Sequence, residues 1–382
     1  MILTKVEARS FRNIIHDQFE PSHRLNFLYG SNAQGKTNWL EAIHLLATTS
    51  SFRTARLSEV LTHDCHESIL RASVSQYGLQ KDLAVQLTSR SKSLFVNGKR
   101  EPSSRYIGHL TVFVCSLEQM NIVRGEPEHR RHFLDQGALS IDPKYAKVLE
   151  TYHRILKQKN QLLRQAAEQA NPNRLIDQIQ IWNEQLIEYG TMIHRVRFQY
   201  VEKLQEVLSG NLFGKEEIRV CYASSLEAHG DMTDYAGLLA ERLQLRLNAE
   251  LAMGYSLVGP HRDDLGIRFD DRDLRPFASA GQQRSTLLIL DLARISVYNK
   301  VFDEYPVFLV DDIDAELDRR RIEVLLDYLQ DKTQTFVTTS KRDIATSYSG
   351  LAAVFRIEEG QVATERRLMH GNGAEALVSE RE

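Results

Sequence analysis

The chain has 382 residues, 42% hydrophobic and 26% charged, which is the balance of a folded globular protein and excludes a disordered or fibrous one. Its formal net charge of −3 gives no global pull toward nucleic acid or anionic membrane, so binding to either needs a local basic patch. The length predicts two lobes; Cys65, Cys115 and Cys221 lie far apart, and neither an apolar run of ~20 residues nor a leader-like opening is seen, so a soluble cytoplasmic protein is expected.

In chain order, residues 2–8 alternate and read as a strand, and Leu25–Tyr29 is a short apolar run. Residues 69–76, 82–88 and 93–96 predict a meander, with Asn97–Gly98 as a hairpin turn. Pro127 is placed for a helix start. From about Lys144 the spacing turns helical: Tyr145, Leu149, Tyr152, Leu156 and Leu163 share a stripe, with Lys159 its polar exception. After "NPN" at 171–173, residues Leu175, Ile179, Trp182, Leu186, Tyr189, Ile193, Val196 and Tyr200 form a heptad seam. Two such segments around a break predict an antiparallel helical hairpin. At 1.5 Å per residue, ~30 residues make roughly 45 Å of helix, either projecting as an arm or packed on the first lobe. Beyond Gly210 the chain returns to mixed α/β: strands over 265–269, 307–310, 334–339 and 352–357, and a helix over 281–299. The last residues, 369–382, are expected to be disordered.

The stretch "FLYGSNAQGKTNWLEAIHLLA", 27–47, carries the chemistry. Gly30, Gly35, Lys36 and Thr37 satisfy G-x-x-x-x-G-K-[ST] between an apolar strand and a helix, where backbone N–H groups and the helix dipole cradle phosphates. Ser31, Asn32, Ala33 and Gln34 complete the loop. Lys36 is placed to reach the β- and γ-phosphates and Thr37 to ligate Mg²⁺, so ATP with Mg²⁺ is the expected ligand.

"PVFLVDDIDAELD", 306–318, supplies the second half. Four apolar residues lead to Asp311 and Asp312 at a strand's carboxyl end, where open α/β sheets place ligands. Asp311 is the expected metal partner of Thr37, and Asp312 is placed to orient the attacking water. Lys36 and Asp312 are therefore the candidate catalytic residues.

Between these lies "FASAGQQRSTLLILDLAR", 277–294. Ser279, Gly281 and Gln282 ahead of a helix, followed by an apolar strand with two aspartates, resemble the signature motif of ABC-type ATPases. That resemblance implies that the serine faces the γ-phosphate held by a second subunit, so that ATP is sandwiched in a homodimer. "ARSFRN" (8–13), "GEPEHRRHFLD" (125–135), "GPHRDDL" (259–265) and "DDIDAELDRRRIEVL" (311–325) together resemble the RecF family, colinearly from Ile2 to about Gly360.

The family resemblance implies an ABC-type ATPase head, a mixed sheet with its phosphate loop, plus a mainly helical lobe with a short antiparallel arm. The expected division is 1–125 and 251–368 for the ATPase lobe, 126–250 for the helical lobe and 369–382 for the tail. It further implies that Asp318 lies at the dimer interface near the opposite nucleotide, and that Arg12 and Asn32 approach the phosphates. In this family the ATP-bound dimer is expected to grip double-stranded DNA beside a single-strand gap and to help load RecA with RecO and RecR. "FVTTSK", 336–341, offers threonine and serine where transporter-type ATPases carry a switch histidine. Asp312 stands where most ABC ATPases carry glutamate; its shorter side chain predicts slow turnover, suited to a timed clamp.

His63–His66 ("HDCH") holds metal-capable side chains without a partner cluster and reads as a surface loop. "GPHRDD" is chemically capable (His261, Arg262, Asp263, Asp264) but is expected to be structural or allosteric. Basic clusters at Lys99–Arg100, Arg130–Arg131, Arg319–Arg321 and Lys341–Arg342, with Arg154, Lys157, Lys159, Arg164, Arg195 and Arg197, read singly as solvated faces; two such faces side by side would make a DNA groove. The alternatives to a DNA clamp are a transporter-like ATPase subunit, a chromosome-structure ATPase with far longer coiled coils, and a small-molecule kinase.

Overall fold

The protein is described by a computed structural model over residues 1–168, 172–209, 217–316, 319–348 and 350–366. The expected tail lies outside this range. Strands β1 (Ile2–Phe11) and β2 (Ile14–Phe19) form a hairpin, and β3 (Leu25–Tyr29) leads into helix α1 (Lys36–Thr48). The meander is β4 (Glu67–Gln76), β5 (Leu79–Thr88), β6 (Lys92–Val96) and β7 (Lys99–Glu101). Its last turn has Asn97 and Gly98 at φ 50° and 76°, the left-handed pair that an Asn-Gly hairpin requires.

Helices α2 (Ser103–Tyr106) and α3 (Met120–Arg124) bracket β8 (Val112–Cys115), and α4 (Pro127–Ile141) begins on Pro127 as expected. The long helices α5 (Tyr145–Glu168) and α6 (Ile176–Leu208) follow, then β9 (Ile218–Ala223), α7 (Tyr235–Met253), β10 (Asp264–Phe269), β11 (Arg272–Asp273) and α8 (Leu274–Phe277). The chain continues through α9 (Ala280–Phe302), β12 (Val307–Val310), α10 (Ile313–Glu316), α11 (Arg319–Leu329), β13 (Thr335–Thr339), α12 (Arg342–Ser347), β14 (Ala352–Glu358) and β15 (Gln361–Arg366).

Two six-stranded sheets sandwich α1. One is the antiparallel β2-β1-β4-β5-β6-β7; the other is β15-β14-β3-β13-β12-β8, parallel except for its edge strand β15. Side chains of the second sheet point alternately to its two faces, and both sets are buried because both faces are covered. Leu28, Val307 and Leu309 join Trp39, Leu40 and Ile43 between the sheets. Leu25, Phe27, Phe308 and Val310 point the other way, onto Leu292 and Ile295 of α9 and Leu325 of α11. The order puts β13 between β3 and β12, and thus between the phosphate loop and the paired aspartates.

The opposite flank of α9, with Leu290, Ala293 and Val297, packs against α4, α6, β9 and β10. That helix is therefore buried on two sides and joins the ATPase head to the helical lobe. Within this lobe the hairpin is antiparallel: Tyr152 stands against Gly190, while Leu163 clusters with Ile179. It is not a bare two-helix arm. Helix α7, which the sequence reading did not resolve, adds Leu247 and Leu251 to the Leu163–Ile179 cluster, so the pair is packed along a third helix.

Lys159, the polar exception on the stripe, is fully buried, with its Nζ 2.7 Å from Glu250 Oε2 on α7. Its ammonium also donates to Ser256 Oγ at 3.2 Å, and Glu250 Oε1 accepts from Ser256 Oγ and Leu257 N. Removing one member leaves the other's charge uncompensated in apolar surroundings. Lys159→Met is expected to lose about 3–5 kcal/mol of stability, and the Lys159→Met/Glu250→Leu double variant much less than the sum of the singles. Urea denaturation of the three variants measures this.

Candidate nucleotide site

The phosphate loop is held by steric fit and by the far end of the chain. A Cβ at Gly30 would lie 2.3 Å from the Ile357 carbonyl oxygen of β14, and one at Gly35 (φ 105°) would meet Asn13 Oδ1 at 2.6 Å. Only glycine lets the loop pass there. Asn13 Nδ2 donates to the Gln34 carbonyl at 3.1 Å, and Asn38 of α1 donates to Asn13 Oδ1 at 2.7 Å. Gly360 N donates to the Gln34 carbonyl at 2.8 Å and Glu359 N to Gln34 Oε1 at 2.7 Å, while Trp39 Nε1 donates to the Gly360 carbonyl. Ser31, Asn32 and Ala33 remain exposed at the rim, with Ala33 left-handed at φ 67°.

Lys36 folds back over this loop, its Nζ donating to the carbonyls of Gly30 at 2.8 Å and Ser31 at 2.9 Å. Burial lowers its pKa, a pull that the Asp312, Asp311 and Asp314 carboxylates oppose. Thr37 Oγ1 donates to Asp311 Oδ1 at 2.8 Å, joining two residues 274 positions apart in sequence. The same Oδ1 accepts from Thr338 Oγ1 of β13 at 2.7 Å. Thr338 Oγ1 also accepts from Asp312 N at 2.7 Å, so one threonine fixes both aspartates. Burial raises the Asp311 pKa, partly countered by the hydroxyls of Thr338 and Thr37.

Asp312 sits at φ 50° and is half-buried; burial first, then the neighbouring Asp314 charge, raise its pKa. Asp314, which sequence reasoning missed, accepts from Thr339 Oγ1 at 2.6 Å and Ser340 Oγ at 2.9 Å. Burial works against its ionisation, but these donors outweigh it and lower its pKa. "TTSK" thus has a structural role: its hydroxyls hold the carboxylates of Asp311 and Asp314 and the backbone of Asp312. The signal that could have found it is three consecutive hydroxyl residues at the end of a strand buried on both faces.

Arg12 lies beside α1 at φ 54°, and its guanidinium is bidentate to the fully buried Glu41, at 2.9 and 2.7 Å. Ser279 caps α9: its Oγ accepts from Gln282 N at 3.2 Å, and Gln282 Oε1 accepts from Ser279 N at 2.8 Å, a reciprocal capping box. Ser279, Ala280 and Gly281 are exposed, so the amino end of this buried helix is presented to solvent. Gln283 accepts from Arg124 Nε of α3, which braces the turn. Asp318 lies outside the described residues.

The other motifs form a separate knot. Arg130 is bidentate to Asp264 at 2.6 and 2.9 Å, Arg131 donates to the Asp263 carbonyl at 2.8 Å, and Arg197 is bidentate to Asp135 at 2.8 Å while donating to the Pro260 carbonyl. Asp263 is fully buried and accepts from Tyr222 Oη, Ser225 N and Ser225 Oγ. His261 Nδ1 meets Tyr152 Oη at 2.7 Å. "GEPEHRRHFLD" and "GPHRDDL" are thus two halves of one ion-pair lattice. Arg130, Arg197 and Lys159, read from sequence as solvated cations, are instead buried in it or in the Glu250 pair and do not face a partner. His63 and Asp64 are an exposed pair 2.9 Å apart.

Thr37 and Asp311, two oxygen donors within 2.8 Å at the root of a glycine-bounded loop with a neighbouring ammonium, fit a magnesium-bound nucleoside triphosphate. Residues 2–363 match the RecF/RecN/SMC N-terminal domain family. The chain is 35% identical over 373 residues to the DNA replication and repair protein RecF of Geotalea daltonii, covering 95% of this chain and 100% of that protein. It is 34% identical to the RecF of Bacillus mycoides, covering 89% and 92%. A solved structure of the recombination mediator protein RecF with ATP in the RecFOR pathway superposes with TM-score 0.86 at 31% identity, covering 95% of this chain and 97% of that one. The Smc head domain of Pyrococcus furiosus shares the fold alone, at TM-score 0.52 and 16% identity. With a family model spanning nearly the whole described chain and relatives above 30% identity at full coverage, the chain belongs to the RecF family.

Proposed function

We propose that this chain is a DNA-repair ATPase that works as an ATP-gated clamp. The observation that carries the reading is the Thr37–Asp311 bond at 2.8 Å, which closes the triphosphate-binding half-site within one chain. ATP is the ligand of the loop, with Thr37 and Asp311 holding Mg²⁺, which when bound offsets phosphate charge. Lys36 exchanges its loop carbonyls for phosphate oxygens, and Asp312 orients the attacking water.

The exposed, capped amino end of α9 at Ser279, with Gly281 and Gln282, is the surface that completes the site of a second copy, giving an ATP-dependent homodimer. Arg12, Asn32 and Asp318 are proposed contributors at its edge. Ser31, Ala33 and Gln34 contribute the loop backbone. The relatives' names (DNA replication and repair, recombination mediator, RecFOR pathway) support DNA at single-strand/double-strand junctions as the clamp's cargo and RecO, RecR and RecA as partners. The carboxylate of Asp312, shorter than a glutamate, supports slow hydrolysis as a timer. Threonine and serine at 338–340, where transporter-type ATPases carry a switch histidine, favour this reading over a transporter subunit; no helix among the described residues is long and apolar enough to cross a membrane, and the cytoplasm is the proposed location.

Ser279→Arg is expected to keep ATP binding by the monomer and to lose ATP-driven dimerisation, with hydrolysis reduced roughly 100-fold; filter binding and sedimentation separate the two effects. Asp312→Asn is expected to bind ATP and stall. Sedimented with labelled gapped duplex, it should give two protomers per DNA with ATP and none with ADP. Equal binding in both states, or none in either, sinks the clamp.

Asp311 carries a pH consequence. Its folded pKa lies above the unfolded value, so the folded state holds more protons and loses stability as pH rises through the carboxylate range. Asp311→Asn keeps an Oδ1 for Thr37 and Thr338 but cannot ionise. The nucleotide-free variant is expected to melt roughly 1–3 °C above wild type at pH 8, the gap closing toward pH 4, while losing Mg²⁺-dependent ATP binding. Calorimetry across that range measures the gap.

A further inference from the structure

The helical lobe carries a cleft, far along the chain from the phosphate loop, that no part of the proposed ATP cycle uses. It encloses about 630 Å³ between α6, β9 and the turn that begins α7. Its wall is aromatic. His194 and Tyr235 stack face to face at 3.9 Å and 7°, Phe198 continues the stack at 6.1 Å from His194, and Tyr222 tilts against the same imidazole at 5.3 Å. Phe198 is 47% exposed, an open aromatic face at the edge of the cleft. Two polar atoms in the wall, His194 Nδ1 and Tyr235 Oη, have no hydrogen-bond partner.

The charge at the mouth is lopsided. Glu227, Asp231 and Asp234 line it against a single cation, Arg195. Asp231 is held ionised by the Thr233 hydroxyl and amide, which lower its pKa. Burial lowers the pKa of His194, so that ring adds no positive charge at neutral pH. Behind the wall lies a further carboxylate, Asp263, bonded to Tyr222 Oη at 2.6 Å. The amino end of α7 offers no anion site, since Asp234 already caps it through Gly237 N. An aromatic face rimmed by carboxylates repels phosphate and favours a planar or aliphatic cation.

We propose that this cleft is a docking site for a partner protein, taking an arginine side chain of a basic, apolar-flanked segment between the Phe198–His194–Tyr235 stack and the Glu227 side of the mouth. The guanidinium stacks on the rings and donates to the carboxylates, while its aliphatic neighbours cover Phe198. Through Tyr222 and Asp263 the occupant abuts the ion-pair lattice of Arg131 and Arg197, so docking reaches the packing between helical lobe and head. The inference is independent of the nucleotide reading.

The test uses the full-length protein and a Gly-Leu-Arg-Gly-Leu-Arg-amide carrying fluorescein on its N-terminal amine, with the unlabelled acetylated Arg→Glu counterpart and a single-stranded oligonucleotide as competitors, followed by anisotropy at low salt. Saturable binding of the arginine peptide is expected. Glu227→Lys and Phe198→Ala should each weaken it by roughly three- to tenfold, with melting temperature and ATP hydrolysis unchanged. In wild-type protein the His194 ring Cε1–H resonance should shift on titration with the peptide, a readout that needs no variant. Undiminished binding in both variants, an unmoved His194 resonance, preference for the glutamate peptide, or displacement by the oligonucleotide would each overturn the proposal.

Discussion

A single carboxylate oxygen, Asp311 Oδ1, decides how the head is built. It receives hydroxyls from Thr37 at the start of α1 and from Thr338 at the end of β13, at 2.8 and 2.7 Å. The three residues hang from three adjacent parallel strands, β3, β13 and β12, whose order follows from the crossovers between them. A buried carboxylate is costly, and burial accordingly raises its pKa. The sheet bears that cost in order to keep an anionic oxygen at the root of the phosphate loop. Without the two hydroxyls that oxygen would lose its hydrogen-bond donors, and without the oxygen the loop and strand ends would have no common reference.

The second constraint is the helix α9. Its side chains face the parallel sheet on one flank and the helical lobe on the other, and Arg294 lies with its guanidinium 4.1 Å from the Phe113 ring and 4.7 Å from Phe133. A helix fixed on both flanks cannot rotate without disturbing both lobes, because packed interiors resist deformation. The exposed Ser279 end is therefore a stiff pointer. The lattice of Arg130, Asp264, Asp135 and Arg197 sets the base of the helical lobe against which this pointer is braced, which is why two separated motifs of the sequence meet there.

Much of this was legible beforehand, for reasons that differ from residue to residue. The phosphate loop could be read because its function demands particular residues in consecutive positions. The strand before Asp311 could be read because burial on both faces leaves an unbroken apolar run. Thr338 and Asp314 could not: a hydroxyl in a strand looks like any β-branched surface residue until its neighbour across the sheet is known. Helix α7 was missed although Tyr235, Leu239, Leu243, Leu247 and Leu251 recur at every fourth residue, a stripe that drifts round the helix and serves two clusters. Arg130, Arg197 and Lys159 were misread for the opposite reason. A cation in a helix is usually solvated, and only the matching acids more than sixty positions away show otherwise.

The embrace of the phosphate loop by β14 and the turn at Glu359–Gly360 has a consequence for synthesis. β3 is flanked by β13 and β14, and Gln34 is bonded through the backbone of Gly360. Both neighbours, β13 (Thr335–Thr339) and β14 (Ala352–Glu358), come far later in the chain than the loop. On the ribosome, the first glycine of the loop emerges more than three hundred codons before the strand that shapes it. The loop of the nascent chain therefore has neither flanking strand until β13 and β14 have emerged. A chain that stops short of β14 carries the recognisable motif intact but lacks the strand and turn that hold its loop in shape.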